Sequence, residues 1–169
     1  YDFVPIKTIS PHLRKAVIAA EDQRFLIHNG FDTREIRQAI KTFFATGKLR
    51  GASTISMQAA RSVFLLSSRK FYRKLAEVYY TVLIELFWDK DRILEIYLNT
   101  VDWGSSVTGA EAAAQKYFNK SAKDLTAAEA ALMTAVLPSP HRWSVHRPTP
   151  YLKDRQEAIM KAMAKMPLI

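Results

Sequence analysis

The sequence predicts a mostly helical, all-α fold. Only five of the 169 residues are glycine, which is few for a sandwich or barrel with many tight turns. Alanine is abundant and runs of β-branched residues are rare, which favours helix over strand. Apolar residues also recur at helical spacing along most of the chain. With 49% hydrophobic and 24% charged residues, we interpret residues 1–169 as a single globular domain.

Each helix has a recognisable beginning or end. We predict helices that end at Glu21, follow Asp32, start at Ser53 or Thr54, follow Ser67 or Ser68, cover 93–98, follow Thr126 and start near Pro150. Asp32 with Glu35, and Thr126 with Glu129, form capping-box patterns, and Gly47 ends the second helix. The longest helix is expected to turn these residues inward: Leu75, Val78, Tyr79, Val82 and Leu86. The sequence is also compatible with a small β-hairpin between the helices.

The segment 33–46 predicts an amphipathic helix. Ile36, Ile40, Phe43 and Phe44 lie on one side, and Arg34, Arg37, Gln38 and Lys41 on the other. Such a basic helix can lie on an anionic membrane, and packing of the apolar side on the core is the commoner alternative. No apolar run reaches the roughly 18 residues of a membrane span. Because the chain opens on Tyr1 rather than Met, we expect an N-terminal transmembrane anchor upstream.

The positive charge is concentrated in one part of the chain. The net charge is +9, and the stretch from Lys41 to Lys74 contains eight basic residues and no Asp or Glu. This pattern predicts a local anion site, with a solvated basic face as the alternative. The absence of cysteine excludes a disulfide scaffold, a cysteine nucleophile and a thiolate zinc site. The four histidines have no metal-ligand spacing with a carboxylate.

Three clusters contain residues that could carry chemistry. Glu21 and Asp22 adjoin an apolar helix face, where burial can turn a carboxylate into a base; capping acids at an exposed helix end are equally compatible. The hydroxyl-rich segment 51–58 follows a glycine and resembles an anion-binding helix start, although an ordinary N-cap is commoner. Arg69, Arg73 and Glu77 recur at four-residue spacing on one helix face, which also fits a surface salt-bridge ladder.

Six motifs occur in a fixed order along nearly the whole chain. They read Glu-Asp-x-x-Phe-x-x-His-x-Gly (21–30), Gly-Ala-Ser-Thr-Ile-Ser-x-Gln (51–58), Arg-Lys-x-x-Glu (73–77), Ile-Leu-Glu-x-Tyr-Leu-Asn (93–99), Ala-Ala-Ala-Gln-Lys-Tyr-Phe-x-Lys (112–120) and Glu-Ala-Ala-Leu (129–132). Together they resemble the family 51 peptidoglycan glycosyltransferases, and the monofunctional biosynthetic branch more than class A penicillin-binding proteins. The resemblance implies a lysozyme-like, bilobed domain with a smaller membrane-associated jaw.

The resemblance also implies an activity. Such an enzyme polymerises lipid II into β-1,4-linked glycan strands with inversion, releasing undecaprenyl diphosphate. Glu21 matches the general base and Glu77 the second essential carboxylate. The positions expected to bind substrate are Asp22, Phe25, His28, Ser53, Thr54, Gln58, Arg61, Arg69, Arg73 and Lys74.

The implied setting is the outer face of the bacterial cytoplasmic membrane. The expected partners are lipid II, the growing glycan, the membrane surface, penicillin-binding proteins and division or elongation proteins, but no nucleic acid. No tightly bound cofactor is expected, although the diphosphate is compatible with a requirement for Mg²⁺ or Mn²⁺. The sequence offers no dedicated metal site.

Three positions depart from the family pattern, namely Met57, Arg61 and Ser62. They bear on donor affinity more than on activity. Three alternatives remain open at this point. One is a glycan-cleaving enzyme on the same fold, one is a non-catalytic scaffold of the cell-wall machinery, and one is a basic nucleic-acid-binding module, which the carboxylates Glu21 and Glu77 disfavour.

Overall fold

A computed structural model of the chain describes residues 2–48, 51–65, 71–104 and 106–167. The α-helices in these ranges are α1 (Pro11–Glu21), α2 (Thr33–Thr46), α3 (Ile55–Phe64), α4 (Phe71–Phe87), α5 (Lys90–Thr100), α6 (Ala110–Phe118), α7 (Ala127–Ala135) and α8 (Pro150–Met163). Two short strands, β1 (Asp102–Gly104) and β2 (Val107–Thr108), form an antiparallel hairpin between α5 and α6. The all-α, lysozyme-like prediction is therefore confirmed, with one small hairpin added.

The helix ends lie where the predicted caps place them. Asp32 accepts the backbone N–H groups that open α2, and Gly47 ends that helix with a left-handed φ of 68°. Thr54, rather than Ser53, caps α3 by accepting from the backbone of its first turn. Thr126 opens α7 in a complete capping box. The predicted caps Ser67 and Ser68 lie outside the described residues.

The hydrophobic core joins two groups of helices. Helix α1 packs on α7 and α8, while α3 packs on α4 and α5. Leu13 and Val17 of α1, Ile55 of α3 and Tyr97 of α5 are almost fully buried in one continuous cluster. Because α1 crosses this core and ends at its edge, its last residue, Glu21, is held at the boundary between core and solvent.

The orientation predicted for α4 is wrong. The residues expected to face inward are exposed: Leu75 56%, Val78 39%, Tyr79 61%, Val82 45% and Leu86 71%. The buried side of the helix includes the polar residues Glu77, Thr81 and Glu85, which recur every four positions. Buried carboxylates are tolerated only with partners, and Glu85 accepts hydrogen bonds from Ser56 and Lys90. Helix α4 thus buries a polar stripe and exposes an apolar one.

Helix α2 also exposes its apolar side. None of its residues is buried, and Ile40, Phe43 and Phe44 are 52%, 44% and 82% exposed. The alternative that this side packs on the core is therefore wrong. In the described part of the chain, no helix is both long and apolar enough to span a membrane.

Candidate active site

Glu21 lies between two clefts. The first cleft is lined by Ala20, Glu21, Asp22, Gln23, Arg24, Asp32, Glu35, Gly51, Ala52, Ser53 and Thr54. The second is lined by Ala20, Glu21, Gly51, Ser53, Gln58, Arg61, Pro138 and Arg155. Glu21 and Ser53 are shared, so a molecule in either cleft can approach the same carboxylate. Gln58 orients that carboxylate, since its side-chain amide donates to Glu21 Oε2 at 3.3 Å.

The surroundings of Glu21 favour proton acceptance. Burial raises the pKa of Glu21, the hydrogen bond from Gln58 and the positive charge of Arg155 lower it, and the neighbouring Asp22 raises it. The net effect is a pKa above the ordinary value for a glutamate. A carboxylate with a raised pKa is a stronger base once ionised, which is the property that a general base requires.

Asp22 and His28 support the site from inside. The Asp22 carboxylate accepts from His28 Nε2 at 2.9 Å and from the backbone N–H of Ile55 at 3.0 Å. These contacts tie the end of α1 to the beginning of α3. They therefore fix the position of Glu21, at the end of α1, relative to Gln58 on α3. Both side chains are buried, at 3% and 5% exposure.

Phe25 and His28 do not meet the expectation of substrate contact. Phe25 is fully buried, His28 is nearly so, and neither lines the two clefts beside Glu21. The Phe25 ring instead lies under the ammonium group of Lys90, 4.6 Å from the ring centroid. The physical reason is that the segment after α1 folds back into the core, which makes these two residues supports of the site.

Two neighbouring residues of the hydroxyl-rich segment, Ser53 and Thr54, differ in exposure. Ser53 is exposed in both clefts. Thr54 is buried, and besides capping α3 it donates to the carbonyl of Gly30 at 2.6 Å. Of the positions that depart from the family pattern, Met57 is buried in α3, whereas Ser62 is exposed and donates to the carbonyl of Gln58.

The second predicted carboxylate lies apart from these clefts. Glu77 is buried on α4, pairs with Lys74 and lines neither cleft beside Glu21. Arg73 is half-buried on the same helix, and neither it nor Lys74 lines those clefts. Arg69 lies outside the described residues.

Sequence reasoning missed Arg155, whose charge acts on Glu21, and Tyr97, a buried phenol whose pKa Glu21 influences. Arg155 lines the second cleft from α8. Tyr97 is fully buried, its hydroxyl has no hydrogen-bond partner among the described residues, and burial raises its pKa well above the ordinary value. The sequence contains one signal for Arg155: it is a charged residue on the same helix face as the apolar Leu152, three residues earlier.

The side chains present do not form a cage for a metal ion. Among the described residues, no three or more His, Asp or Glu side chains converge closely enough to hold one.

Comparison with known proteins decides the family. A family model described as "Transglycosylase" matches residues 1–164. The chain belongs to the transglycosylase family. It is similar to a biosynthetic peptidoglycan transglycosylase of Rhodospirillum centenum, with 51% identity over 96% of this chain and 70% of the relative. Transglycosylases of the same name from Aeromonas hydrophila and Shewanella oneidensis are 49% and 50% identical, over 98% and 95% of this chain and 71% and 69% of each relative.

The family assigns a reaction class to the transglycosylase site. The chain is a peptidoglycan glycosyltransferase, which acts at the cell envelope. The predicted family and enzyme class are therefore confirmed.

Proposed function

We propose that this transglycosylase polymerises lipid II into β-1,4-linked glycan and that Glu21 is the general base. The 4-hydroxyl oxygen of the acceptor GlcNAc attacks C1 of the MurNAc at the reducing end of the growing chain. The new C1–O4 bond forms as the bond from C1 to the diphosphate oxygen breaks. The hydroxyl proton passes to the Glu21 carboxylate, and undecaprenyl diphosphate leaves with the bonding electrons. Attack opposite the leaving group inverts the anomeric configuration.

The observation that carries this proposal is the position of Glu21 between two clefts. A transferase must hold two sugars at once, with the base beside the nucleophilic hydroxyl. The second cleft contains Arg61 of α3, whose charge suits a departing diphosphate. We therefore assign the donor to the second cleft and the acceptor to the first. Ser53, which lines both clefts, is placed to donate a hydrogen bond to either sugar, and Gln58 lines the second cleft beside Glu21.

The basic end of α4 supplies a further part of the proposed machinery. Glu77 is buried and paired with Lys74, an arrangement that holds the ammonium group in place. We propose that Glu77, Lys74 and Arg73 act on a diphosphate at the end of a substrate rather than at the bond being made. This role is consistent with their position outside the clefts beside Glu21. Arg69 keeps its predicted diphosphate role as part of the proposal.

The apolar faces of α2 and α4 support an assignment to a membrane surface. Phe44 and Leu86 are 82% and 71% exposed, which is costly in water but favourable in the lipid interface. Arg34, Arg37 and Lys41 of α2 are exposed as well, and they would attract anionic headgroups. We propose that these faces dip into the outer leaflet of the cytoplasmic membrane, where the lipid tail of the substrate remains. Penicillin-binding proteins and division or elongation proteins remain predicted partners.

Lipid II polymerisation in detergent tests the function. The wild type is expected to produce long glycan, and Glu21→Gln should lower the rate by about 10²–10⁴-fold, as removal of a general base does. Glu157→Gln is the matched control, because Glu157 is an exposed glutamate of α8 and should leave the rate unchanged. Equal rates for wild type and Glu21→Gln would contradict the role of Glu21. Fragments released from finished glycan, without synthesis, would favour the glycan-cleaving alternative.

A further inference from the structure

Arg155 is a charged residue on the buried side of α8. It follows Leu152 by three residues and precedes Ile159 by four, and both of those side chains are buried. Helix α8 packs against α7 and α1, so this face is directed at the helix that ends in Glu21. Arg155 Nε donates to the carbonyl of Ala135 at the end of α7, at 3.2 Å. The guanidinium is thereby anchored, and it reaches the second cleft, which Glu21 also lines.

Glu21 occupies an unfavourable place for a negative charge. It is the last residue of α1, where the helix dipole is negative, and the last turn of α1 contains no basic residue. Asp22 follows directly and adds a second negative charge. A nearby positive charge stabilises the ionised form of a carboxylate in this position.

The charged and titratable groups that the described residues place around Glu21 come from several elements. They are Asp22 after α1, Arg24, Asp32 and Glu35 in the first cleft, Arg61 on α3, Tyr97 on α5 and Arg155 on α8. Arg24 forms a salt bridge with Asp32 at 2.7 Å, and Asp22 accepts a hydrogen bond from His28. Tyr97 is a buried, neutral phenol at ordinary pH because burial raises its pKa. Among the described residues, Arg155 is the cation whose charge lowers the pKa of Glu21.

We propose that Arg155 is a positioning residue of the transferase site, whose fixed positive charge in the second cleft stabilises the ionised Glu21 carboxylate that lines the same cleft. The role rests on the proposed function of Glu21 as general base. Arg155 therefore acts through Glu21 rather than on the sugar that is transferred. Its charge, not its hydrogen bond to α7, is the property that matters.

Two substitutions separate the charge from the hydrogen bond. Arg155→Gln removes the charge but keeps an N–H donor for the Ala135 carbonyl, and Arg155→Lys keeps the charge. Lys153→Gln is the matched control, since it removes an exposed positive charge from the same helix. All variants are checked for folding by thermal unfolding before use.

The first measurement is independent of activity. Protein labelled with ¹³C at the glutamate carboxyl carbons is titrated by NMR, and the Glu21 signal is assigned by its loss in Glu21→Gln. We expect Arg155→Gln to raise the Glu21 titration midpoint, whereas Arg155→Lys and Lys153→Gln should leave it close to that of the wild type. An unchanged midpoint in folded Arg155→Gln, or an equal rise in Lys153→Gln, would overturn the proposal.

The second measurement is the pH profile of lipid II polymerisation. A base that is harder to ionise loses activity first at acidic pH. The factor by which Arg155→Gln lowers the polymerisation rate should therefore be at least about three times larger at mildly acidic pH than at mildly basic pH. A merely structural role predicts the same loss at every pH, and that result would count against the proposal. If Glu21→Gln keeps full activity while Arg155→Gln still shifts the Glu21 signal, the function assigned to Glu21 fails and the Arg155–Glu21 coupling stands.

Discussion

The apolar stripe of α4 predicts a measurable affinity for lipid. Leu75 and Leu86 lie on this stripe, three helical turns apart, and are 56% and 71% exposed. Burying a whole leucine side chain is worth about 1.5–3 kcal/mol, so scaling by these exposed fractions gives about 1–2 kcal/mol for each. The double substitution Leu75→Gln/Leu86→Gln should therefore weaken binding to a lipid interface by about 3 kcal/mol, or about 100-fold in partition coefficient.

The same substitution should leave the fold almost unchanged. Both side chains are exposed, and glutamine has nearly the same helix propensity as leucine. We expect the free energy of unfolding, from denaturant titration, to change by no more than about 0.5 kcal/mol for each site. A loss of membrane affinity without a loss of stability would separate a lipid-facing surface from a core surface.

The assay is sedimentation with vesicles that contain phosphatidylglycerol. Tyr151→Gln/Met160→Gln is the matched control, because these residues are 57% and 39% exposed on α8, which packs on α1 and α7. Only the α4 variant should lose binding. An α4 variant that partitions like the wild type, or a control that loses as much, would refute the assignment of α4 to the membrane.

Three further predictions concern stability. Glu21→Gln should raise the melting temperature at neutral pH, because burial raises the pKa of Glu21 and its ionised form therefore destabilises the fold. The gain should vanish on acidification below the ordinary glutamate pKa, where the folded and unfolded chains both bind the proton. Asp22→Asn should lower the free energy of unfolding by about 1.5–3 kcal/mol, since it weakens two buried hydrogen bonds to a charged group. Gly104→Ala should cost more than about 2 kcal/mol, because a methyl group at φ of 91° would lie 2.0 Å from the carbonyl oxygen of Pro140.

The first two of these predictions each have an outcome that would contradict them, and the third has a matched control. A Glu21→Gln variant with the same pH dependence of stability as the wild type would show that the carboxylate is not destabilised by burial. For Asp22→Asn, unfolding at the wild-type denaturant concentration would mean that the link between α1 and α3 contributes little. Gly47→Ala is a control for Gly104→Ala, since it shares a positive φ but has open space around it.

Local chemistry made most of the helices predictable. Side-chain caps such as Asp32 and Thr126 satisfy the free N–H groups of a helix start within three residues, so their effect is visible in a short window of sequence. The apolar spacing of α8 is equally local, and Leu152, Ile159 and Met163, which recur at that spacing, are buried. The orientation of α4 was not local, because its polar stripe is stabilised by Ser56 and Lys90, which belong to other helices.

The candidate site shows the same division. The residue types at Glu21, Ser53, Gln58 and Arg61 were all visible as motifs, and the structure brings these four together around two clefts. Phe25 and His28 were also visible, but their burial depends on how the segment after α1 folds back into the core.

The sequence by itself determined the helical class, most helix ends, the concentration of positive charge and which carboxylate is the candidate base. These properties follow from spacing and short-range hydrogen bonds. Only the tertiary structure decided which side of α4 faces outward and which cation accompanies Glu21. The physical reason is that burial and electrostatic coupling depend on distance in space, and Arg155 approaches Glu21 only after α8 has packed on α1.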